Sequence, residues 1–465
     1  MGALMPSDDA MHFIVTTPIT QSVEEKRKLI RSQVMRGKNR KRLLSRPPSW
    51  INGGAVNGPQ VFHKGNAISI PAKIGGEFSF TTVSAEMSSD TLDTILKFKR
   101  AMFPLELSLT SDETEASWFE PIWSDAACFH FTVFIAKEYL AFIHGQTENS
   151  QTAQTHFIKA LAILQRRLAC SNTELSTSDS TILVVVGLTM AATALDDLEM
   201  AVKHLKGLHK LVTLRGGISA FKENKHLQTK ICRVDLGVAL SIGCQALFLS
   251  DGISWDSYIS SRAKMPTSGL HDSDPWHQTL TSDLGCILNN LDTRLSHVWD
   301  DLSEFVRAAN VITQGKLNMD NELYQEVMVS IHYRLVNLRF DVGTVNETIR
   351  LALLAFSSTI FLQWRGLKTR YKYLAQHFKT ALSPLNHKTG VVPEKLTLWL
   401  YIIGAISIFD EHEQTWLQPL LTEVLQIMNM TSWNEVRLSL KSVLWVNVLH
   451  DPFAKKLIET TLNQI

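Results

Sequence analysis

The chain has 465 residues, 45% of them apolar, and a formal net charge of +1. That much apolar matter can fill one large core or two to three smaller ones. The near-cancelling charge argues against a protein that coats nucleic acid or membrane over its whole surface. The opening MGALMPSDDAMHFIV has no basic start leading into an apolar run, since Asp8 and Asp9 interrupt it, and no signal peptide is expected. Pro6 stands where myristoylation of Gly2 would need Ser or Thr.

The first predicted element is a short helix between Ser22 and Gly37. Ser22 and Glu25 have capping-box spacing, and Gly37 supplies a stop. Val23, Ile30 and Val34 share one face, with Leu29 and Met35 nearby; that stripe is too thin to pack a domain, so the helix needs a partner surface. Residues 1–46 are therefore expected to be a mostly disordered basic segment with one short helix. Residues 47–90, rich in Pro, Gly, Ser, Asn and Thr, read as linker, with one anchoring stretch at GGEFSF.

From 91 to 465 the helical period recurs. FEPIWSDAACFHFTVFIAKEYLAFI (119–143) reads as one long core helix. QTAQTHFIKALAILQRRLA reads as an amphipathic one, with Phe157, Leu161, Leu164 and Leu168 on its stripe. The apolar run Ile182 to Leu195 is shorter than the roughly 20 residues a bilayer needs and reads as a buried helix. Next comes LEMAVKHLKGLHKLVTLRGG, capped by Asp196 or Asp197 and ended by Gly216-Gly217. Leu198, Ala201, Val202, Leu205, Leu208 and Val212 form its buried stripe, and Lys203, Lys206 and Lys210 its wet side. Residues 247–280 hold a loop. Helices resume at 281–311, 320–338, 344–366, 393–409, 415–428, 432–443 and 452–462. No Asn-Gly hairpin signal and no strict repeat occurs, so the expected fold is all-α, a multi-helix array of antiparallel pairs.

The cysteines, at 128, 170, 232, 244 and 286, sit in apolar segments without a CxxC pair. They suit small core positions in a reducing compartment, and the protein is expected to be soluble and intracellular. Phosphate-loop, GxGxxG, GxSxG and HExxH patterns are absent, so no catalytic residue, cofactor or metal site is assigned and no enzyme is expected. DEHEQ at 410–414 reads as a solvated helix start. Asp300, Asp301 and Glu304 give a D-D-x-x-E pattern that a magnesium-dependent terpene-cyclase-like enzyme could use. SWNEVRLSL does not supply the second metal-binding segment, because Leu438 replaces the required hydroxyl, and an exposed acidic helix turn is the plainer reading. His130, His156 and His332 lie within helices and read as satisfied core or rim groups.

The remaining feature is charge. Arg36, Lys38, Arg40, Lys41 and Arg42 form a compact basic cluster after the Gly37 stop, in the manner of a nuclear import signal or a phosphate-contacting arm. Such charge attracts DNA in a salt-sensitive way, yet choosing bases needs side chains held in a groove by a folded module.

AVKHLKGLHKLVTLRGGISAF, followed by ICRVDLGVALSIG, resembles the fungal-specific transcription factor domain, the regulatory region of fungal zinc-cluster regulators. RLALLAFSSTIFLQ and KLTLWLYIIGAISIF resemble later helices of that domain, and SWNEVRLSLKSVLWVNVLHDPFAKKL its closing segment. HFIVTTPITQSVEEKRKLIRSQVMRGKNRKR is similar to a lead-in of one subgroup, with Gln33 in place of a His. The resemblance implies a nuclear regulator of transcription, often of secondary metabolism, partnered by other regulators or by itself, and carrying no membrane role. Zinc-cluster regulators hold two zinc ions on six closely spaced cysteines; no cysteine precedes Cys128 here, so DNA would be met non-specifically or through a partner. A scaffold or adaptor without transcriptional role is the alternative.

Overall fold

The computed structural model describes residues 88–102, 120–145, 150–170, 172–248, 254–256, 282–315, 317–363, 369, 371–383 and 392–464. The expected first helix, the GGEFSF stretch and the basic cluster lie outside the described residues. Among the described residues all regular structure is helical and no strand occurs. These residues form two compact units: 88–95 with 120–172, and 96–102 with 173–464.

The smaller unit contains the first part of α1 (Ser89–Met102), a short helical turn at 120–124, α2 (Ala126–Ile143) and α3 (Gln151–Ala169). The helix expected over 119–143 is broken at Asp125. Its carboxylate accepts the amide hydrogens of Ala127 and Cys128 at 2.9 and 3.0 Å, capping α2. The same carboxylate receives Arg167 of α3 in a two-pronged pair at 3.2 and 2.6 Å. Asp125 thus starts one helix and anchors the next. On α3 the fully buried positions are Ala153, Ala160 and Leu164, while Phe157, Leu161 and Leu168 are half-buried. Small residues face the centre of the contact, and Phe157 instead stacks on Phe134 of α2 at 4.4 Å between ring centres.

The larger unit opens with a helical hairpin, α4 (Asp179–Ala194) and α5 (Leu198–Leu214). Its turn is compact. Asp196 adopts a left-handed φ of 59°, and the Asp197 amide donates back to the Ala192 carbonyl at 2.9 Å, closing α4. The Asp197 side chain then accepts the Met200 amide at 3.3 Å and opens α5. Gly216 and Gly217, at φ of 107° and 82°, end α5 as expected. Lys203, Lys206 and Lys210 stand on its exposed side; Leu198 and Val202 are half-buried, and Gly207 and Leu211 join the buried stripe.

α6 (Lys225–Ile242) is capped by Asn224 and stopped by Gly243 at φ 74°. The Tyr373 ring lies 2.2 Å from where a β-carbon on Gly243 would stand, so only glycine satisfies both the dihedral and the packing. The span expected as one helix over 281–311 is two, α7 (Ser282–Asn289) and α8 (Thr293–Gly315), followed by α9 (Asn321–Asn337) and α10 (Val345–Phe361). α10 is the axis of the core: from Glu347 to Ser358 every residue is buried. α11 (Lys372–Leu382), α12 (Glu394–Ser407), α13 (Glu411–Ile427), α14 (Trp433–Lys441) and α15 (Asn447–Leu462) complete the unit. α12 is likewise interior, with Leu396, Trp399, Tyr401 and Ile403 buried. Asp410 and Glu413 form a reciprocal capping box, so DEHEQ is the start of α13.

By length and composition, two stretches of the described chain could cross a membrane, Ala126–Ile143 and Thr173–Ala194, and about half of each is buried within the protein.

Candidate functional site

Arg36, Lys38, Arg40, Lys41 and Arg42 lie outside the described residues; the acidic candidates lie in the larger unit. Asp300, Asp301 and Glu304 sit on α8 and do not form one acidic surface, which corrects the reading of an exposed acidic turn. Asp301 points into the protein and pairs with Arg334 of α9, both side chains 1% exposed. A carboxylate already matched by a guanidinium and removed from water does not stand ready for a divalent ion. Asp300 faces outward. Partial burial and the neighbouring Asp301 raise its pKa, with His297 opposing.

Around that buried pair the structure builds a notch. Arg334 reaches it from α9, donating from Nε to the Ser330 carbonyl of its own helix and from one terminal nitrogen to Asp301. Its other terminal nitrogen donates to the Asp256 carbonyl at 3.4 Å. From α8, His297 donates its Nδ1 hydrogen to the Trp255 carbonyl at 2.8 Å, which fixes that tautomer because a carbonyl can only accept. The Arg294 guanidinium lies over the Trp255 ring, 5.4 Å from its centre. Residues 294 and 297 are one turn apart and share a face of α8. Ser254, Trp255 and Asp256 belong to no helix; they are held from outside.

Sequence reasoning missed this arrangement, as it brings together residues some 40 to 80 positions apart. The only local signal was Arg294 and His297 spaced on one helical face.

The histidines behave as satisfied groups. His130 and His156 meet at 2.9 Å between their Nδ1 atoms. His332 is fully buried, donating from Nδ1 to the Met328 carbonyl at 2.9 Å and meeting the Ser357 hydroxyl through Nε2 at 3.2 Å. Burial pushes its pKa down to about 4. His450 is pushed down to about 3 for the same reason; its Nδ1 accepts the Val446 amide and its Nε2 meets Thr359. Two cysteines depart from the expected core placement: Cys170 and Cys286 are exposed, whereas Cys128 and Cys232 are buried, and no disulfide occurs among the described residues.

A second buried carboxylate, Asp235 on α6, accepts amides of Leu247 and Phe248 and the Tyr333 hydroxyl at 2.8–3.1 Å. Burial raises its pKa, and those hydrogen bonds oppose the shift. It holds the chain after α6 against its own helix. Among the described residues no three His, Cys, Asp or Glu side chains gather in a way that could hold a metal ion.

Comparison with protein-family models, with curated proteins and with solved structures finds no match to this chain.

Proposed function

We propose that this chain is a transcription regulator of the fungal-specific transcription factor type, located in the nucleus and acting through protein contacts of its helical body. The resemblance of the lead-in at 12–42, and of five phrases further along the chain, carries this reading. In support, those five phrases fall on α5, α6, α10, α12 and the α14–α15 pair, all within the larger unit.

The basic cluster Arg36, Lys38, Arg40, Lys41 and Arg42 would supply nuclear import and non-specific attraction to phosphate. Base choice is assigned to a partner, because positive charge attracts phosphate without selecting bases. A scaffold or adaptor without transcriptional role is the second reading.

A fluorescent reporter fused to the whole chain tests the proposal. Nuclear signal that becomes cytoplasmic on replacing Lys38, Arg40, Lys41 and Arg42 by Ala is the expected result. A cytoplasmic reporter from the outset sinks the nuclear role. Chromatin immunoprecipitation then separates regulator from adaptor, since enriched promoters are expected only of the former.

A further inference from the structure

The grip on Ser254–Asp256 combines packing of the Trp255 ring against the core with directed contacts to main-chain carbonyls, and the second is the mark of a recognition site. Two consecutive main-chain carbonyls are met by side chains from two different helices, His297 on α8 and Arg334 on α9, and the Trp255 ring is covered by Arg294. The contacts read backbone and one aromatic face, features that any extended segment with an aromatic residue can offer. The reading groups are preorganised. Arg334 is 1% exposed and locked by Asp301 and the Ser330 carbonyl, so its remaining donor is aimed before anything arrives.

We infer that the α8–α9 notch is a peptide-docking site which the chain's own Ser254–Asp256 fills in cis. Its partner class is an extended protein segment bearing an aromatic residue, which enters when the resident tripeptide leaves. Occupation in cis lowers the apparent affinity for such a segment by the fraction of molecules whose notch is free. The biological use of the site rests on the protein-contact role proposed above, but its chemistry does not: peptide binding tests the site, and the reporter tests location.

The experiment uses the full chain and a dye-labelled synthetic peptide of residues 251–259, DGISWDSYI. The Trp255→Ala variant, whose resident ring is gone, is expected to bind this peptide about tenfold or more tightly than the unaltered chain. Adding Arg294→Ala to that variant, or replacing the peptide's Trp by Ala, should abolish the binding. Equal binding by variant and unaltered chain overturns the inference. So does no binding by a Trp255→Ala chain that melts as the unaltered chain does. Should that variant not fold, Arg294→Gln provides the second measurement: chymotrypsin should cut after Trp255 several-fold faster, and an unchanged rate overturns the inference.

Discussion

Arg334 and Asp301 form an ion pair across α9 and α8 with both side chains 1% exposed. The pair stands under the notch and decides how both helices are held. Removing either partner leaves an uncompensated charge in the core, whereas removing both does not. Asp301→Ala and Arg334→Ala should each cost about 3–5 kcal/mol in denaturant melts. The pair Asp301→Leu with Arg334→Met should cost clearly less than the two single losses combined. Additive losses would show that the two groups act separately.

Acid should weaken the larger unit through two histidines. His332 and His450 have folded-state pKa values pushed down to about 4 and about 3, from 6.5. As pH falls through 6.5 the unfolded chain takes up protons that the folded chain refuses. Stability is therefore full above that pH and drains away as pH drops toward 4. His332 alone should account for roughly 3 kcal/mol of this loss. Urea melts between pH 7.5 and 4 give the measurement, and His332→Gln should flatten the slope. A pH-independent midpoint would contradict the burial of both rings.

Gly243 meets two demands at once, a φ of 74° and the Tyr373 ring at 2.2 Å from a would-be β-carbon. Gly243→Ala should lower stability by more than the roughly 1–2 kcal/mol that left-handed backbone alone costs. Adding Tyr373→Ala should recover part of that excess. No recovery would place the whole cost in the backbone.

Ser439 offers a change in the other direction. Its hydroxyl oxygen is buried and has no hydrogen-bond partner among the described residues. Ser439→Ala removes an unsatisfied polar group, and a gain of up to about 1 kcal/mol is expected. A loss above that size would reveal a partner for the hydroxyl.

The basic cluster makes a quantitative prediction for DNA. Each phosphate contact contributes about −0.9 to the slope of log affinity against log salt. Replacing Arg36, Lys38, Arg40, Lys41 and Arg42 by Ala should shallow that slope by up to about 4.5 while leaving the melting of the helical body unchanged. An unaltered slope would remove the cluster from DNA contact.

What could be read from the residues depended on how local the signal was. α5 was legible almost completely, because Asp197 and Gly216-Gly217 mark its ends and its lysines mark its wet side. The break at Asp125 was not, since apolar residues run through it on both sides and the Arg167 partner lies 42 residues on. α11 has no side-chain cap at its start, so no start signal announced it. α15 was expected to begin at Pro452, the usual place for proline in a helix. It begins at Asn447 instead, because Asn310 and His450 accept the amides of Asn447 and Val446. Asp301 was misread for a related reason: acidic residues on a helix read as solvated until a buried arginine appears from another helix. The notch lay beyond sequence reading altogether.

Asn310 carries one more implication. Its amide group donates to the Trp445 carbonyl and its oxygen accepts the Asn447 amide, both buried and 135 to 137 residues downstream. During synthesis the ribosome must travel that whole distance before this side chain can find its complement. Until then α8 has a thirsty amide on the face destined for the interior. A transcript truncated before Trp445 would yield a body that chaperones and proteases can tell from the finished one.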